Sequence, residues 1–144
     1  MLKTEEKVSL NIEDKGVIDD QKMINIASDL SYNHGDDVII YDVREKSPFL
    51  SYYIVVSYSN ESRLKKGVSV AEESLYNNNI VIDHKEGKNK SRWILIDGKE
   101  VVLQLFLKDE RKRIDFDSLY LDCPHKVIVS EKEIDYEKRE KWRY

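Results

Sequence analysis

The stretch DVREKSPFLSYYIVVSYSNES, residues 42–62, decides how the chain folds. It joins the end of one apolar run, VIIYDV at 38–43, to a second run, YYIVVSY at 52–58, through a loop that contains Pro48. Both runs are nearly continuous in β-branched and aromatic residues, which is typical of strands that are buried on both faces. The sequence therefore predicts two central strands of a sheet with helices packed against it.

Amphipathic helices are predicted on both sides of this pair of strands, because apolar residues recur there at helical spacing. The first helix is predicted over 18–33, with Asp19 or Asp20 as N-cap. The second begins at the N-cap Ser59 or Asn60 and ends at 77–79. The third is predicted over 109–121, with Asp109 as N-cap and Pro124 beyond its end. Gly67 lies inside the second helix, where glycine is less favourable than alanine by about 1 kcal/mol.

Three further strands are predicted between the second and third helices, at 80–83, 93–97 and 100–107. The dipeptide Asp97-Gly98 is a strong signal for a two-residue hairpin between the last two strands. Because this tight hairpin lies late in the chain, we expect a mixed sheet. The predicted fold class is α/β (α+β), a single compact domain with a mixed β-sheet flanked by helices in the order α-β-β-α-β-β-β-α.

The length and the charge distribution predict one domain between two charged ends. A chain of 144 residues and 17.0 kDa needs only one hydrophobic core. Residues 1–16 are mixed in charge and show little apolar periodicity, so we expect a mobile leader. The domain is predicted to span 17–124, and residues 125–144 a charged extension with a strand-like piece at 127–129.

The composition restricts the partners that the protein can bind. The formal net charge is −4, from 28 acidic and 24 basic side chains, and an acidic body suits a basic partner better than it suits nucleic-acid phosphates. A single cysteine excludes an internal disulfide and a cysteine-rich zinc site. No apolar stretch approaches the roughly 20 residues of a membrane span. We expect a soluble cytoplasmic protein that does not enter a membrane.

Catalytic, cofactor and metal motifs are not evident in the sequence. The five glycines are isolated from one another, so there is no glycine-rich phosphate loop. Cys123 and His125 are a conceivable nucleophile and base, but no third group orients them. His34 and His84 lie at loop edges without cysteine or acidic companions at ligand spacing, which predicts solvated imidazoles rather than a metal site.

Two other sequence patterns could indicate alternative functions. On a strand, Asp115 and Asp117 of the motif DFD would point to one side and could hold Mg²⁺ in a nucleotidyltransferase-like enzyme, but residues two apart on a helix do not face each other. The helical pattern around them favours a solvated helix face. The basic loop 84–92 beside Trp93 could form an RNA-binding module, with the indole stacked on a base. The negative net charge favours a plain solvated loop.

Three blocks without reaction chemistry remain: DVREKSPFLSYYIVVSYSN (42–60), EGKNKSRWILIDGKEVVLQLF (86–106) and ERKRIDFDSLYLDCP (110–124). In order, spacing and residue types they resemble the ribosomal silencing factor family, also called the Iojap family. The chain would be a divergent member. Positions that match the family pattern include Asp42, Ser47, Pro48, Tyr52, Gly87, Trp93, Asp97, Arg111, Leu119, Asp122 and Pro124. Departures occur at Ser51, Tyr58, Arg92, Gln104, Arg113, Ile114 and Tyr120.

The resemblance implies a fold similar to that of nucleotidyltransferases, without their catalytic Gly-Ser and metal-binding carboxylates, and with no cofactor. It further implies a non-enzymatic regulator that binds the large ribosomal subunit through its fourteenth ribosomal protein. Such a factor blocks joining of the small subunit and silences translation when nutrients are scarce. An acidic domain suits this partner, because ribosomal proteins are typically basic.

Five residues are predicted to contact the partner. They are Trp93 and Tyr120 as aromatic anchors, Tyr52 as a further aromatic contact, Asp97 as an acidic partner for Lys or Arg, and Arg111 as an orienting side chain. Alternatively, Tyr52, Leu119 and Tyr120 belong to the core, and Asp97 serves the hairpin turn. A contact of ribosomal RNA with Lys85, Lys88, Lys90 and Arg92 and a homodimer also stay open.

Overall fold

The computed structural model describes residues 18–87 and 90–129. The predicted leader, 1–16, and the part of the extension beyond residue 129 lie outside them. The described elements are α1 (Gln21–Tyr32), β1 (Asp36–Asp42), β2 (Tyr52–Tyr58), α2 (Glu61–Asn77), β3 (His84–Glu86), β4 (Trp93–Asp97), β5 (Val101–Leu107), α3 (Lys108–Ile114), a 3-10 helix (Phe116–Tyr120) and β6 (His125–Ile128). No helix in these two ranges is both long and apolar enough to span a membrane.

The six strands form one mixed sheet in the order β3-β4-β5-β2-β1-β6. Its centre is the parallel pair β2 and β5, and every other neighbouring pair is antiparallel. The predicted mixed sheet is confirmed. Because β6 pairs with β1, the sheet continues beyond residue 124, where the sequence predicted the domain to end.

Both long helices begin at predicted N-caps. The carboxylate of Asp20 accepts a hydrogen bond from the amide of Lys22 at 3.0 Å, and the side chain of Asn60 accepts one from Arg63 at 2.8 Å. Asp20 also accepts from the amide of Met23 at 3.4 Å, so the caps pair amide groups that a helix leaves without a partner in its first turn. Local side-chain chemistry therefore fixes where α1 and α2 start.

Three local predictions need correction. The β4–β5 hairpin forms, but its loop comprises residues 98–100, and Lys99 takes the left-handed conformation at φ 72°. The strand predicted at 80–83 lies instead at His84–Glu86. The helix predicted over 109–121 is interrupted at Asp115, which also has a left-handed backbone, and continues as the 3-10 helix. Propensity alone did not reveal these left-handed residues.

The sheet separates two hydrophobic clusters. On one face, α1 and α2 cover the larger cluster, which includes Tyr52, Ile54 and Leu103. On the other face, the shorter segment from α3 through the 3-10 helix covers a smaller cluster around Val55, Phe106 and Phe116. We call the second face the short-helix face. Its cover is smaller, and several large side chains there remain partly exposed.

Gly67 allows α2 to approach the end of β2. A Cβ atom at this position would lie 2.4 Å from the Cζ of Tyr58, so any larger residue would clash with the ring. The hydroxyl of Tyr58 is buried and has no hydrogen-bond partner among the described residues, and burial raises the pKa of Tyr58. The ring therefore fills the space that Gly67 leaves, and its hydroxyl is desolvated without compensation.

We expect Gly67→Ala to destabilise the protein by about 1–2 kcal/mol, because overpacking outweighs the better helix propensity of alanine. In a Tyr58→Ala background the clash is absent, and the same change should stabilise by up to about 1 kcal/mol. Urea denaturation of the four proteins of this double-mutant cycle measures both effects. Stabilisation by Gly67→Ala in both backgrounds would contradict the packing contact.

Candidate protein-docking surface

Strand register places Trp93 and Asp97 on the short-helix face. In the β4–β5 pair Trp93 lies opposite Phe106, and Asp97 lies opposite Val102. Phe106 packs in the smaller cluster on this face. Because side chains two or four apart on a strand point to the same side, Trp93 and Asp97 share that face. Their role as partner contacts stays a prediction.

A continuous set of aromatic rings connects the two predicted anchors, Trp93 and Tyr120. The indole of Trp93 stacks on Phe106 with ring centroids 5.0 Å apart, and Phe106 lies 5.8 Å from Phe116. Phe116 lies 5.1 Å from Tyr120, whose ring is 5.1 Å from that of Tyr53. We call these five residues the aromatic cluster. Their mutual contacts restrict ring rotation, so the surface is largely formed before a partner binds.

The aromatic cluster reaches solvent at its edges. Trp93 is 37% exposed, although its indole N–H donates to the side-chain oxygen of Gln104 at 2.7 Å. Leu119, next to Tyr120 on the 3-10 helix, is 60% exposed, and Leu121 is also exposed. Tyr120 itself is half-buried. The alternative prediction that Leu119 belongs to the hydrophobic core is therefore wrong. For Tyr120 the same alternative holds for part of the ring.

Asp97 has a role in the turn and also lies at the edge of the aromatic cluster. Its Oδ1 accepts a hydrogen bond from the amide of Lys99 at 2.7 Å, which stabilises the hairpin loop. Burial, a hydrogen bond with Tyr120 and the nearby charge of Asp97 raise the pKa of Tyr53 to about 12. Strand register places Asp97 opposite Val102, which in turn lies opposite Tyr53 of the aromatic cluster. A negative charge at this position would suit a contact with a basic protein.

Arg111 lies beneath this surface rather than on it. Its guanidinium is buried and forms a bidentate contact with Asp117, at 2.8 Å from Nε to Oδ2 and 3.2 Å from Nη2 to Oδ1. Nη1 donates to the carbonyl of Asp37 at 2.8 Å and to the hydroxyl of Ser57 at 3.0 Å. The residue therefore orients the segment that carries Leu119 and Tyr120, but it does not reach a partner directly.

Asp115 and Asp117 do not form the predicted solvated helix face. Asp115 is the left-handed residue that ends α3. Asp117 pairs with Arg111 and also accepts a hydrogen bond from the hydroxyl of Tyr41 at 3.0 Å. Both oxygens of Asp117 accept hydrogen bonds, which favours a structural role for this carboxylate. The D-x-D motif has a structural role that the helical pattern concealed.

Tyr52 lies on the opposite face of the sheet. It packs in the larger cluster with the long helices, and the guanidinium of Arg44 lies 5.6 Å from its ring centroid. Tyr53, its neighbour in the chain, points instead to the short-helix face and joins the aromatic cluster. The structure does not bring Tyr52 to Trp93, because adjacent strand residues point to opposite faces.

Two basic residues of the loop 84–92 pair with acidic side chains on different helices. Lys85 forms an ion pair with Glu72 of α2, whereas Arg92 pairs with Asp109 and Glu110 of α3. Lys88 lies outside the described residues. A groove of about 720 Å³ between α2 and this loop contains Lys85 and Lys90. Among the described basic residues, Lys85 and Lys90 therefore face α2, whereas Arg92 is held against α3.

Two features escaped the sequence prediction. Lys46 joins the β1–β2 loop to the 3-10 helix, because its ammonium group donates to the carbonyl of Leu119 at 3.1 Å and pairs with Asp122 at 2.9 Å. His84 does have acidic companions, since strand pairing brings Asp97 to within 3.4 Å of its Nδ1. The contacts of Lys46 and the approach of Asp97 join residues far apart in the chain, whereas Asp83 and Glu86 are near neighbours of His84 that the sequence analysis overlooked.

Comparison with known proteins identifies the family. A family model described as "Ribosomal silencing factor during starvation" matches residues 18–143. The chain belongs to the ribosomal silencing factor family. The protein of Bacillus subtilis named Ribosomal silencing factor RsfS is 25% identical over 89 residues, which cover 62% of this chain and 75% of that protein. Its namesake in Halalkalibacterium halodurans is also 25% identical over 89 residues, covering 62% and 76%.

Solved structures show that this ribosomal silencing factor shares its fold with other proteins. The crystal structure of CV0518 from Chromobacterium violaceum has a TM-score of 0.66 at 20% identity, covering 72% of this chain and 87% of that one. A protein from Bacillus halodurans has a TM-score of 0.63 at 21% identity, covering 76% and 100%. The predicted mixed α/β domain is thus confirmed by its neighbours as well as by its own topology.

We expect Asp117→Asn to destabilise the protein by about 2 kcal/mol or more, because it leaves the buried charge of Arg111 without its partner. The side chain of Arg111 is 8% exposed and that of Asp117 is 29% exposed. Asp115→Asn is the matched control and should change the free energy of unfolding by less than about 0.5 kcal/mol, since asparagine tolerates the left-handed conformation. Urea denaturation compares the two variants, and equal losses would contradict the role of Asp117.

Proposed function

We propose that the protein is a non-enzymatic silencing factor that binds the large ribosomal subunit through its fourteenth ribosomal protein. Bound there, it prevents the small subunit from joining and so represses translation under nutrient limitation. Family membership supports the ribosomal role. The observation that carries the choice of contact surface is the aromatic cluster, which joins Trp93 to Tyr120 and is bordered by exposed leucines.

The proposed docking surface consists of Trp93, Asp97, Leu119 and Tyr120, supported from below by Arg111. Partly exposed aromatic side chains that are already held in place are favourable anchors, because little conformational freedom is lost on binding. Leu119 adds exposed apolar area next to them. Asp97 supplies a negative charge for a lysine or arginine of the partner. The chemistry of this surface fits a basic protein that has an apolar depression.

Docking fits the arrangement better than catalysis does. The D-x-D carboxylates that could suit a nucleotidyltransferase-like enzyme are separated, because Asp115 ends a helix while Asp117 is bound by Arg111 and Tyr41. Ribosomal RNA binding through the basic loop is also less well supported, since Lys85 and Arg92 have acidic partners on different elements. The proposed docking surface itself offers apolar side chains and the carboxylate of Asp97, which a basic protein can use.

We expect Leu119→Ala to weaken binding to isolated large subunits about tenfold while leaving the fold intact, because the side chain is exposed in the free protein. Trp93→Ala should weaken binding by about 2 kcal/mol or more, a factor of roughly 30, as loss of an aromatic hot spot does. Co-sedimentation with purified large subunits, together with thermal melts, measures both effects.

Tyr76→Ala is the matched control, because Tyr76 is 80% exposed but lies on α2, away from the short-helix face. It should bind like the wild type. Trp93→Ala also leaves Gln104 without its hydrogen bond and so lowers the melting temperature to some extent. For that reason Leu119→Ala decides the outcome: if it folds and binds with wild-type affinity, the docking surface is wrong.

We expect Asp97→Lys to slow association with large subunits, because it places like charge against a basic protein. The loss should shrink as salt is raised from about 0.05 to 0.5 M, since screening weakens charge repulsion. Glu73→Lys, an exposed change of the same charge on α2, is the control for net charge. Equal slowing by both variants would mean that total charge, rather than Asp97, governs association. A steep loss of wild-type affinity with salt would instead favour RNA binding.

A further inference from the structure

The sheet register brings Asp97 next to the adjacent residues Asp83 and His84. In the β3–β4 pair, His84 lies directly opposite Asp97. The amide of Asp83 donates to the carbonyl of Asp97 at 2.7 Å, so Asp83 is held beside the same strand. Backbone pairing therefore fixes the relative positions of the three residues. We call Asp83, His84 and Asp97 the edge cluster.

The ligand atoms of the edge cluster have the spacing of a metal site. The Nδ1 of His84 lies 3.4 Å from the Oδ2 of Asp83 and 3.4 Å from the Oδ2 of Asp97. All three residues offer a ligand atom within 4.8 Å of the others. Around a tetrahedral Zn²⁺ with bonds of about 2.1 Å, neighbouring ligand atoms are separated by about 3.4 Å. A small side-chain adjustment would bring the carboxylate oxygens of Asp83 and Asp97, now within 4.8 Å of each other, to the same separation.

We propose that Asp83, His84 and Asp97 bind a divalent transition-metal ion such as Zn²⁺. One imidazole nitrogen and two carboxylate oxygens suit Zn²⁺ and its first-row neighbours, whereas Mg²⁺ and Ca²⁺ prefer oxygen ligands throughout. Three protein ligands leave at least one coordination position for water. The cluster is at the solvent-exposed edge of the sheet, so an ion can enter without a conformational change.

The surrounding groups prepare the ligand atoms for this role. The second ring nitrogen of His84, Nε2, lies 3.1 Å from the Oε2 of Glu86. When Nε2–H donates to Glu86, the lone pair of Nδ1 faces the two aspartates, as in the carboxylate–histidine–metal arrangement of known sites. Asp97 uses Oδ1 to accept from the amide of Lys99, which leaves Oδ2 directed at His84.

The ammonium group of Lys99 competes with a metal ion for the edge cluster. This group lies 3.9 Å from the Oδ1 of Asp83, on the oxygen that does not face His84. Lys99 can remain there while Oδ2 binds an ion, so it weakens the site without blocking it. A bound ion would connect β3 to the end of β4 next to the aromatic cluster. The proposal does not depend on ribosome binding, and the isolated protein suffices to test it.

Isothermal titration calorimetry of the untagged, chelator-treated protein with ZnCl₂ tests the site. We expect one ion per chain, and a loss of affinity of about tenfold or more in each of Asp83→Asn and His84→Gln. His34→Asn is the control, because His34 is an exposed histidine with φ 73° on another element and asparagine tolerates that conformation. It should bind Zn²⁺ like the wild type.

Long-range ¹H–¹⁵N spectra of the imidazole rings identify the ligand directly. On addition of Zn²⁺ to the wild type, the Nδ1 resonance of His84 should shift, and those of His34 and His125 should not. This measurement decides the matter even if a variant is poorly folded. Absence of binding up to millimolar ZnCl₂, unchanged binding by a folded His84→Gln, or a shift confined to another histidine would each overturn the proposal.

Discussion

The buried guanidinium of Arg111 is the interaction on which the short-helix face depends. It joins four separate parts of the chain: α3, where it originates, Asp117 at the start of the 3-10 helix, Ser57 at the end of β2 and the carbonyl of Asp37 in β1. A charge removed from water is tolerated only when it is paired and its donors are satisfied. Here the bidentate contact with Asp117 and the two further acceptors meet that requirement.

The position of the 3-10 helix follows from this contact. Once Asp117 is fixed, Phe116 can pack against Phe106 and Tyr53, and Tyr120 comes to lie between Tyr41 and Tyr53. Lys46 fixes the other end through the carbonyl of Leu119. The exposed leucines of this segment are therefore held on a rigid support. Apolar surface that is already rigid suits binding to a partner, because little conformational entropy is lost when the complex forms.

The contact between Arg111 and Asp117 also explains why the five residues predicted to bind a partner differ in exposure. Trp93 and Tyr120 are half-exposed members of one ring set, Asp97 borders it, Arg111 supports it from beneath, and Tyr52 belongs to the opposite face. The family resemblance placed these five residues in one group, because it identifies matching sequence positions and does not show which side chains are exposed. A buried charge and a surface anchor can both match a family pattern, but only exposure distinguishes a contact from its support.

The main helices and strands, the N-caps of α1 and α2 and the mixed character of the sheet were determined by the sequence alone, because they depend on local periodicity, capping chemistry and the type of connection between strands. The predicted N-cap Asp109 was wrong, because α3 starts one residue earlier, after Leu107, and has no side-chain cap. Asp20 and Asn60, for example, cap the helices by contacts with amides two to three residues away. Tertiary structure alone decided the remainder. The opposite faces of Tyr52 and Tyr53, the pairing of Asp117 with Arg111, and the approach of His84 to Asp97 all require strand register and left-handed residues such as Asp115. Those features depend on which segments pack together, and a short stretch of sequence does not indicate the distant segment that it contacts.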